Sequence, residues 1–350
     1  MSITKLIITT PIISPIIGGG GAPVPSVPSF SLVMDTTKTS DDSENNEFTI
    51  PTDGSSTYNY SVQWEDSDGN TGSLNAQTAG VTVAVPTAGE VTVEIRGVFP
   101  VWKPVSVTRY GIIDVLEWGE IEWSSMNSMF RNEIYFAGIS ATDTPDLSNV
   151  TNMEDMFRDC EIFNSDINDW DISNVTSITR MFSGASAFNQ PLNNWDVTSL
   201  DNLDWVFYRA IAFNQDLDDW DISNVTNIAR MFSGASAFNQ DVSGWDTSNV
   251  INMHQIFRDA TIFNQNIGAW DFSGISSGSN TLGRFVENTS LSRANYDALL
   301  IKLDGTVGLP VINDFAPTGL EYCSASAVTA RSSLIAKGWT IAGDSLGAGC

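Results

Sequence analysis

Between Phe30 and about Lys103, apolar and polar positions alternate, as in Tyr58-Asn-Tyr60-Ser-Val62-Gln-Trp64, Val81-Thr-Val83-Ala-Val85 and Val91-Thr-Val93-Glu-Ile95. A period of two sends successive side chains to opposite faces of a strand. Turn-rich segments such as 66–72 (DSDGNTG) separate the runs, so the pattern predicts a small antiparallel β-sandwich over residues 30–103. The polar run from Thr36 to Glu47 reads as a solvated loop. Ahead of the sandwich, residues 1–29 combine an isoleucine-rich stretch, the run Gly18–Gly21 and spaced prolines. Ile3, Leu6, Ile7, Ile8, Ile12 and Ile13 suit an extended strand whose backbone groups need a partner edge, which predicts a docking arm on a flexible linker. Lys5 and the isoleucines loosely fit a secretory signal, but Pro11 and Pro15 interrupt its apolar core.

The strongest signal follows. Trp170, Trp195, Trp220, Trp245 and Trp270 recur every 25 residues, as do Phe157, Phe182, Phe207, Phe232 and Phe257, and Phe163, Phe188, Phe213, Phe238 and Phe263. Asn164, Asn189, Asn214, Asn239 and Asn264 keep the same step, which gives five units over 146–270 without an insertion. Within a unit, Val150, Met153, Met156, Phe157 and Cys160 step by three or four, the spacing of one helical face, with Ser148-Asn149 as capping residues. The stretch 166–172 is long enough for one short strand. These features predict an α/β-type repeat solenoid, leucine-rich-repeat-like, each 25-residue coil holding a helical turn and a strand. At roughly 4.8 Å per strand, five coils make a rod roughly 25 Å long. The Phe and Trp positions are expected to stack as internal ladders. Segment 104–145 carries a degenerate unit (Trp118-Gly-Glu-Ile-Glu-Trp123, Met126, Met129-Phe130) and reads as the amino-terminal cap. Segment 271–350 reads as a partly helical carboxy-terminal cap. Its helices are expected over Leu291–Ile301, capped by Ser292, and over Ser324–Lys337, stopped by Gly338.

Units such as DISNVTNIARMFSGASAFNQDVSGW (221–245) resemble the repeats of BspA-like leucine-rich-repeat surface proteins. The YNYSVQWED run, the WGEIEWSSM entrance and the closing LSRANYDALLI, LEYCSASA and GWTIAGD segments are similar to flanks that such repeats carry. The resemblance covers roughly residues 30–350 and implies a surface adhesin or interaction scaffold without catalysis; the arm lies outside it. Such repeats also occur in virion proteins fixed to a shell by an extended arm.

Charge narrows the partners. Sixteen Lys+Arg against 42 Asp+Glu give a net charge of −26 over 350 residues, which repels phosphate backbones and anionic lipid, so nucleic-acid binding is not expected. Residues 146–270 hold 5 Arg, no Lys and 18 Asp+Glu, a net of −13, which predicts an acidic outer face. One His, three Cys and no apolar run near 18 residues argue against a His-based active site, a zinc module and a membrane span.

Local chemistry is weak. Gly274-Ile-Ser276-Ser-Gly278 has the letters of a nucleophile elbow but lies in a Gly/Ser-rich exit from the repeat, and His254 reads as a solvated surface residue. The Asp after each Trp recurs in every unit and reads as a turn residue bonding backbone donors, with calcium as the alternative. Asp66-Ser-Asp68-Gly-Asn70 begins like a calcium loop but reads as a hairpin turn. Cys160 stands where other units have Ala185, Ala210, Ala235 and Ala260, marking a small buried site; Cys323 and Cys350 are free to pair if oxidised. No catalytic residue, metal or cofactor is expected. The expected function is a non-enzymatic structural and recognition protein on a virion surface, such as a head fibre, decoration or tail-associated adhesin. In that reading the arm docks to other structural proteins of the assembly, and the repeats meet a saccharide or protein receptor. The alternative is a bacterial cell-surface adhesin; an enzyme acting on polysaccharide is a third and weaker reading.

Overall fold

The computed structural model describes residues 27–39, 46–104, 108–275 and 281–350. The docking-arm residues from Ile3 to Ile13 and the Ser276 elbow therefore lie outside the described residues.

The alternating segments form strands β1 (Ser29–Asp35), β2 (Glu47–Ile50), β3 (Asn59–Asp66), β4 (Thr71–Gln77), β5 (Val81–Ala84) and β6 (Glu90–Val98). Two further strands, β7 (Ile112–Glu117) and β8 (Gly138–Ile139), extend the main sheet, whose order is β4-β3-β6-β1-β7-β8. Its pairs are antiparallel except β7 with β8, and β2 pairs with β5 in a separate two-stranded sheet. The 66–72 segment is a hairpin turn in which the Asp66 carboxylate accepts the backbone N–H groups of Asp68 (3.1 Å) and Asn70 (2.9 Å). Phe30 sits among Trp102, Trp118 and Trp123, all fully buried, and this aromatic group carries the core of the sheet without a break into the core of the repeats.

The α/β repeat solenoid expected for 146–270 is not what the chain forms. Those residues contain no α-helix and no strand beyond isolated bridges; each unit is a succession of turns, and the main sheet of the molecule lies before them. The reason is local. Met156, Arg158 and Cys160 donate their N–H groups three residues back, to Met153, Asp155 and Phe157, which closes tight turns with the same three-residue spacing as a helical face. Asp155 and Asp159 adopt left-handed φ values of 58° and 59°, and a left-handed residue ends any right-handed helix. Gly184 and Gly234 hold the second of these positions in their units, each at φ 76°.

The intervening N–H groups leave the unit. Met153, Asp155, Phe157 and Asp159 donate to the carbonyls of Ser177, Thr179, Met181 and Ser183, and the same ladder repeats unit after unit as far as Asp259 to Glu287. Inside, the Phe157 to Phe257 rings stack at 5.6–5.8 Å between units, and within units Phe207 and Phe213 approach to 3.9 Å. Each Trp from Trp195 to Trp270 donates its indole N–H to a carbonyl 28 residues back, so the ring is buried with its one donor satisfied. The asparagines form a second ladder: Asn164, Asn189, Asn214 and Asn239 each accept the backbone N–H of the next Asn at 2.8–2.9 Å.

The carboxy-terminal segment ends that ladder. Asn264 accepts the N–H of Ser292 (2.6 Å) and the amide of Asn295 (3.0 Å), where another Asn would otherwise stand. Ser292 caps α1 (Arg293–Gly305), Ser324 caps α2 (Ala325–Ala336), and the buried Asp297 of α1 receives the N–H groups of Cys323 (2.9 Å) and Ser324 (2.7 Å). Short strands β9 (Glu321–Tyr322) and β10 (Ser345–Leu346) pair in parallel beside them. Cys323 and Cys350 form a disulfide across 27 residues, while Cys160 is free and buried. Closing a loop of that length is worth about 3–4 kcal/mol in the chain-entropy account. Reduction, or Cys323→Ser, is accordingly expected to lower the unfolding midpoint of the carboxy-terminal segment. Calorimetry with and without reductant measures this, and an unchanged midpoint would show that the packing of α1 on α2 suffices.

Candidate functional site

The ladder ribbon has an outer edge, and the arginines gather there. Between residues 110 and 290 the only cations other than His254 are seven arginines, and each falls within the five-residue turn that carries the left-handed pair. Arg180, Arg230 and Arg284 stand at its first left-handed position, Arg131, Arg158 and Arg258 three residues further on, and Arg209 at its second left-handed position. The repeat stack thus presents one arginine-bearing strip instead of a uniformly acidic surface.

Most of these arginines are neutralised in place. Asp155, 5% exposed, is shared by Arg131 (3.4 Å), Arg158 (3.4 Å) and Arg180 (2.9 Å), and Arg180 also pairs with Glu154. Arg258 pairs with Glu287 at 2.9 Å and Arg284 with Asp314 at 2.9 Å. A cleft of about 380 Å³ opens beside Lys103, Asn127, Arg131 and Asp155, but its Lys103 donates to the Asn127 side chain and its Arg131 pairs with Asp155, so both cations are already engaged.

The strip changes character in the third unit. Where other units place Asp155, Arg180, Arg230 or Gln255, this one has Trp205; where others have Arg158, Ser183, Ser233 or Arg258, it has Tyr208. Both rings are half-buried on the outer side, 4.2 Å apart between centroids and inclined at 56°. The Arg230 guanidinium lies 4.7 Å from the Trp205 ring centre and that of Arg209 lies 5.2 Å from the Tyr208 ring centre, both cation–π distances. Among the described residues, Arg209 and Arg230 are the two arginines of the strip with no carboxylate within ion-pair distance; Arg230 Nε donates instead to the Gln255 side chain at 3.0 Å. Asp204 lies next to them with its Oδ1 buried. Burial pushes its carboxyl up to about 6, against the pull of Arg230 and Arg180. His254, two units on at the position of Asp204, is half-buried rather than solvated.

The positions expected from the sequence lie elsewhere. The Phe157 to Phe257, Phe163 to Phe263 and Trp170 to Trp270 series are buried in the core at 5% exposure or less, so they build the stack and offer no atoms to a ligand. Asp171, Asp196, Asp221, Asp246 and Asp271 each accept the backbone N–H two residues on (2.8–3.1 Å), and hydrogen bonds from that Ser or Thr hold every one of these carboxyls below its ordinary range. Among the described residues no three His, Cys, Asp or Glu converge as a metal site, and no helix is long and apolar enough to cross a membrane. The Trp205–Arg230 cluster was open to detection as a break in the repeat: DWVFYRAIAFNQ departs from ARMFSGASAFNQ by placing Trp205, Tyr208 and Arg209 where the fourth unit has Arg230, Ser233 and Gly234.

Two overlapping segments, 107–218 and 193–293, match the family model described as Mycoplasma protein of unknown function, DUF285. Together they span more than half of the chain. The chain belongs to this family. The DUF285 match takes in β7, the whole turn stack and the Ser292 cap that closes it, and it is consistent with the resemblance to BspA-like surface proteins. No curated protein and no solved structure matches the chain.

Proposed function

We propose that this DUF285 protein is a non-enzymatic recognition scaffold displayed at a bacterial surface, and that the strip around Trp205 and Tyr208 makes its principal external contact. The carrying observation is the aromatic pair itself: the third unit keeps Leu203, Val206, Phe207 and Ala210 buried in the common core, while Trp205, Tyr208 and Arg209 stand at partly exposed or exposed positions where the other units carry polar residues or glycine. Partly exposed aromatics and Arg are the residue types that concentrate binding energy at interfaces. The disulfide supports an oxidising compartment. Fold similarity alone is weak warrant for function, so the site carries the reading.

The test is binding of labelled full-length protein to intact bacterial cells. Trp205→Gln with Tyr208→Ser returns the unit to residues that other units already carry, Gln255 at φ 56° and Ser183 or Ser233, so folding is retained. The double variant is expected to bind at least tenfold more weakly; equal binding would remove the strip from the proposal. Display on a virion is the second reading, favoured by the isoleucine-rich arm sequence of residues 1–29. Loss of co-sedimentation with phage particles on deleting the arm would support it.

A further inference from the structure

The site's own chemistry narrows its ligand. Arg209 and Arg230 are guanidinium groups without carboxylate partners in a chain of net charge −26, where anions are in excess almost everywhere else. Each instead lies against an aromatic ring. Beside them lies the Asp204 carboxyl, which is drawn toward Arg230, Arg180 and the Trp205 side chain. One small region therefore offers guanidinium groups without carboxylate partners and a half-buried aromatic pair.

The extent of the region decides between ligands. Along the strip, Arg180 is already paired with Asp155 and Glu154 on one side, and Arg258 with Glu287 on the other. The unneutralised stretch covers only the third and fourth units, whose core rings are 5.7 Å apart. That length holds one carboxylate and would set the remaining charges of an extended polyanion against the acidic surface. An acidic peptide or a polyphosphate fits poorly; a single carboxylated ring with an apolar face fits well. We infer that the Trp205–Tyr208–Arg230 cluster binds a carboxylated sugar, with the pyranose packed against the exposed part of the Trp205–Tyr208 pair and its carboxylate on the Arg230 guanidinium. Bidentate guanidinium–carboxylate pairing and stacking on an aromatic face are mutually compatible, because each uses a different part of the same ring.

This inference rests on the surface-recognition reading, and its test separates the two. Full-length protein is passed over surfaces bearing glucuronate-, galacturonate- or sialate-terminated oligosaccharides, with glucose-terminated oligosaccharide and polyglutamate as comparisons. At least one carboxylated sugar is expected to bind tenfold or more tightly than the glucose-terminated one and than polyglutamate. Trp205→Gln with Tyr208→Ser should lose that binding. Arg230→Gln, which places the residue found at 255, should abolish the preference for the acid over the neutral sugar. Equal binding of acidic and neutral sugars, tighter binding of polyglutamate, or no binding to any carboxylated sugar overturns the inference. If cell binding remains sensitive to the double variant in those cases, the recognition reading stands and only the ligand class fails; if it is insensitive, both fail.

Discussion

Replacing Phe207 by alanine is expected to remove about 3–5 kcal/mol of stability, the range for deleting a fully buried aromatic ring. Phe207 is fully buried, stacks on Phe182 at 5.6 Å and Phe232 at 5.7 Å, and lies 3.9 Å from Phe213 within its own unit. Truncation would leave a void in the middle of a column whose rings above and below are held by their own ladder bonds, so the site has little freedom to collapse. The position also matters for cooperativity. Each unit touches only its neighbours, so the stability of such an array is close to a sum of unit and interface terms. A weakened central interface should uncouple the two ends, and denaturant unfolding should show a lower slope or two steps in place of one. Trp205→Gln, two residues away but on the outer side, should cost far less, about 1 kcal/mol for its lost ring and cation–π contacts. A Phe207→Ala loss below 1 kcal/mol with an unchanged slope would refute the column as the source of the array's stability.

The contrast between those two neighbouring residues also shows how far the sequence could be read. The 25-residue period, the buried aromatic positions and the caps at Ser292 and Ser324 were legible, because core burial and capping each demand particular side chains at fixed spacing. The backbone of the unit was not. Val150, Met153, Phe157 and Cys160 satisfy a helical face and a chain of three-residue turns equally well, since both return to the same side every three or four residues. Gly184 and Gly234 in the middle of the supposed helix were the available warning, for a glycine at a fixed phase marks a left-handed position; the other units fill it with Asp159, Arg209 and Asp259 and hide it. The arginine strip was legible in principle, because every arginine from Arg131 to Arg284 falls in one short window of the repeat. Counting charge over the whole array concealed it: a net of −13 for 146–270 says nothing about which side the five arginines occupy.

The same comparison of units exposes Glu133. Phe130 and Phe136 stack in register on Phe157 and Phe163, so Glu133 occupies the small buried site filled further along by Cys160 and by Ala185, Ala210, Ala235 and Ala260. A carboxyl at an alanine position, 2% exposed, needs partners. It has them in the strand region, where its two oxygens accept the N–H groups of Tyr110 (2.6 Å) and Gly111 (3.1 Å) just before β7. Glu133 therefore joins the first turn unit to the sheet. Burial pushes its carboxyl up to about 8 from 4.5, although the backbone donors and Arg109 pull it down. The sign follows from proton counting. Between pH 4.5 and 8 the folded protein holds a proton here that the unfolded chain has released, so stability falls as pH rises through that window and levels off above it. At about 1.4 kcal/mol per pKa unit the full effect is on the order of 3–5 kcal/mol. Glu133→Gln cannot ionise, so its stability should stay flat where the parent's declines; with one oxygen and a donor NH2 for two N–H groups it should lie below the parent at acid pH by about 1–3 kcal/mol. Glu133→Ala should be the least stable of the three at pH 5, because it leaves the Tyr110 and Gly111 N–H groups unmatched at a cost of about 1–3 kcal/mol each. Urea unfolding of all three proteins at pH 5 and pH 8.5 measures these terms. Parallel pH profiles for the parent and the Gln variant would mean that Glu133 titrates as an ordinary carboxylate despite its burial, and that the junction gains its stability from the aromatic packing around Phe30 alone.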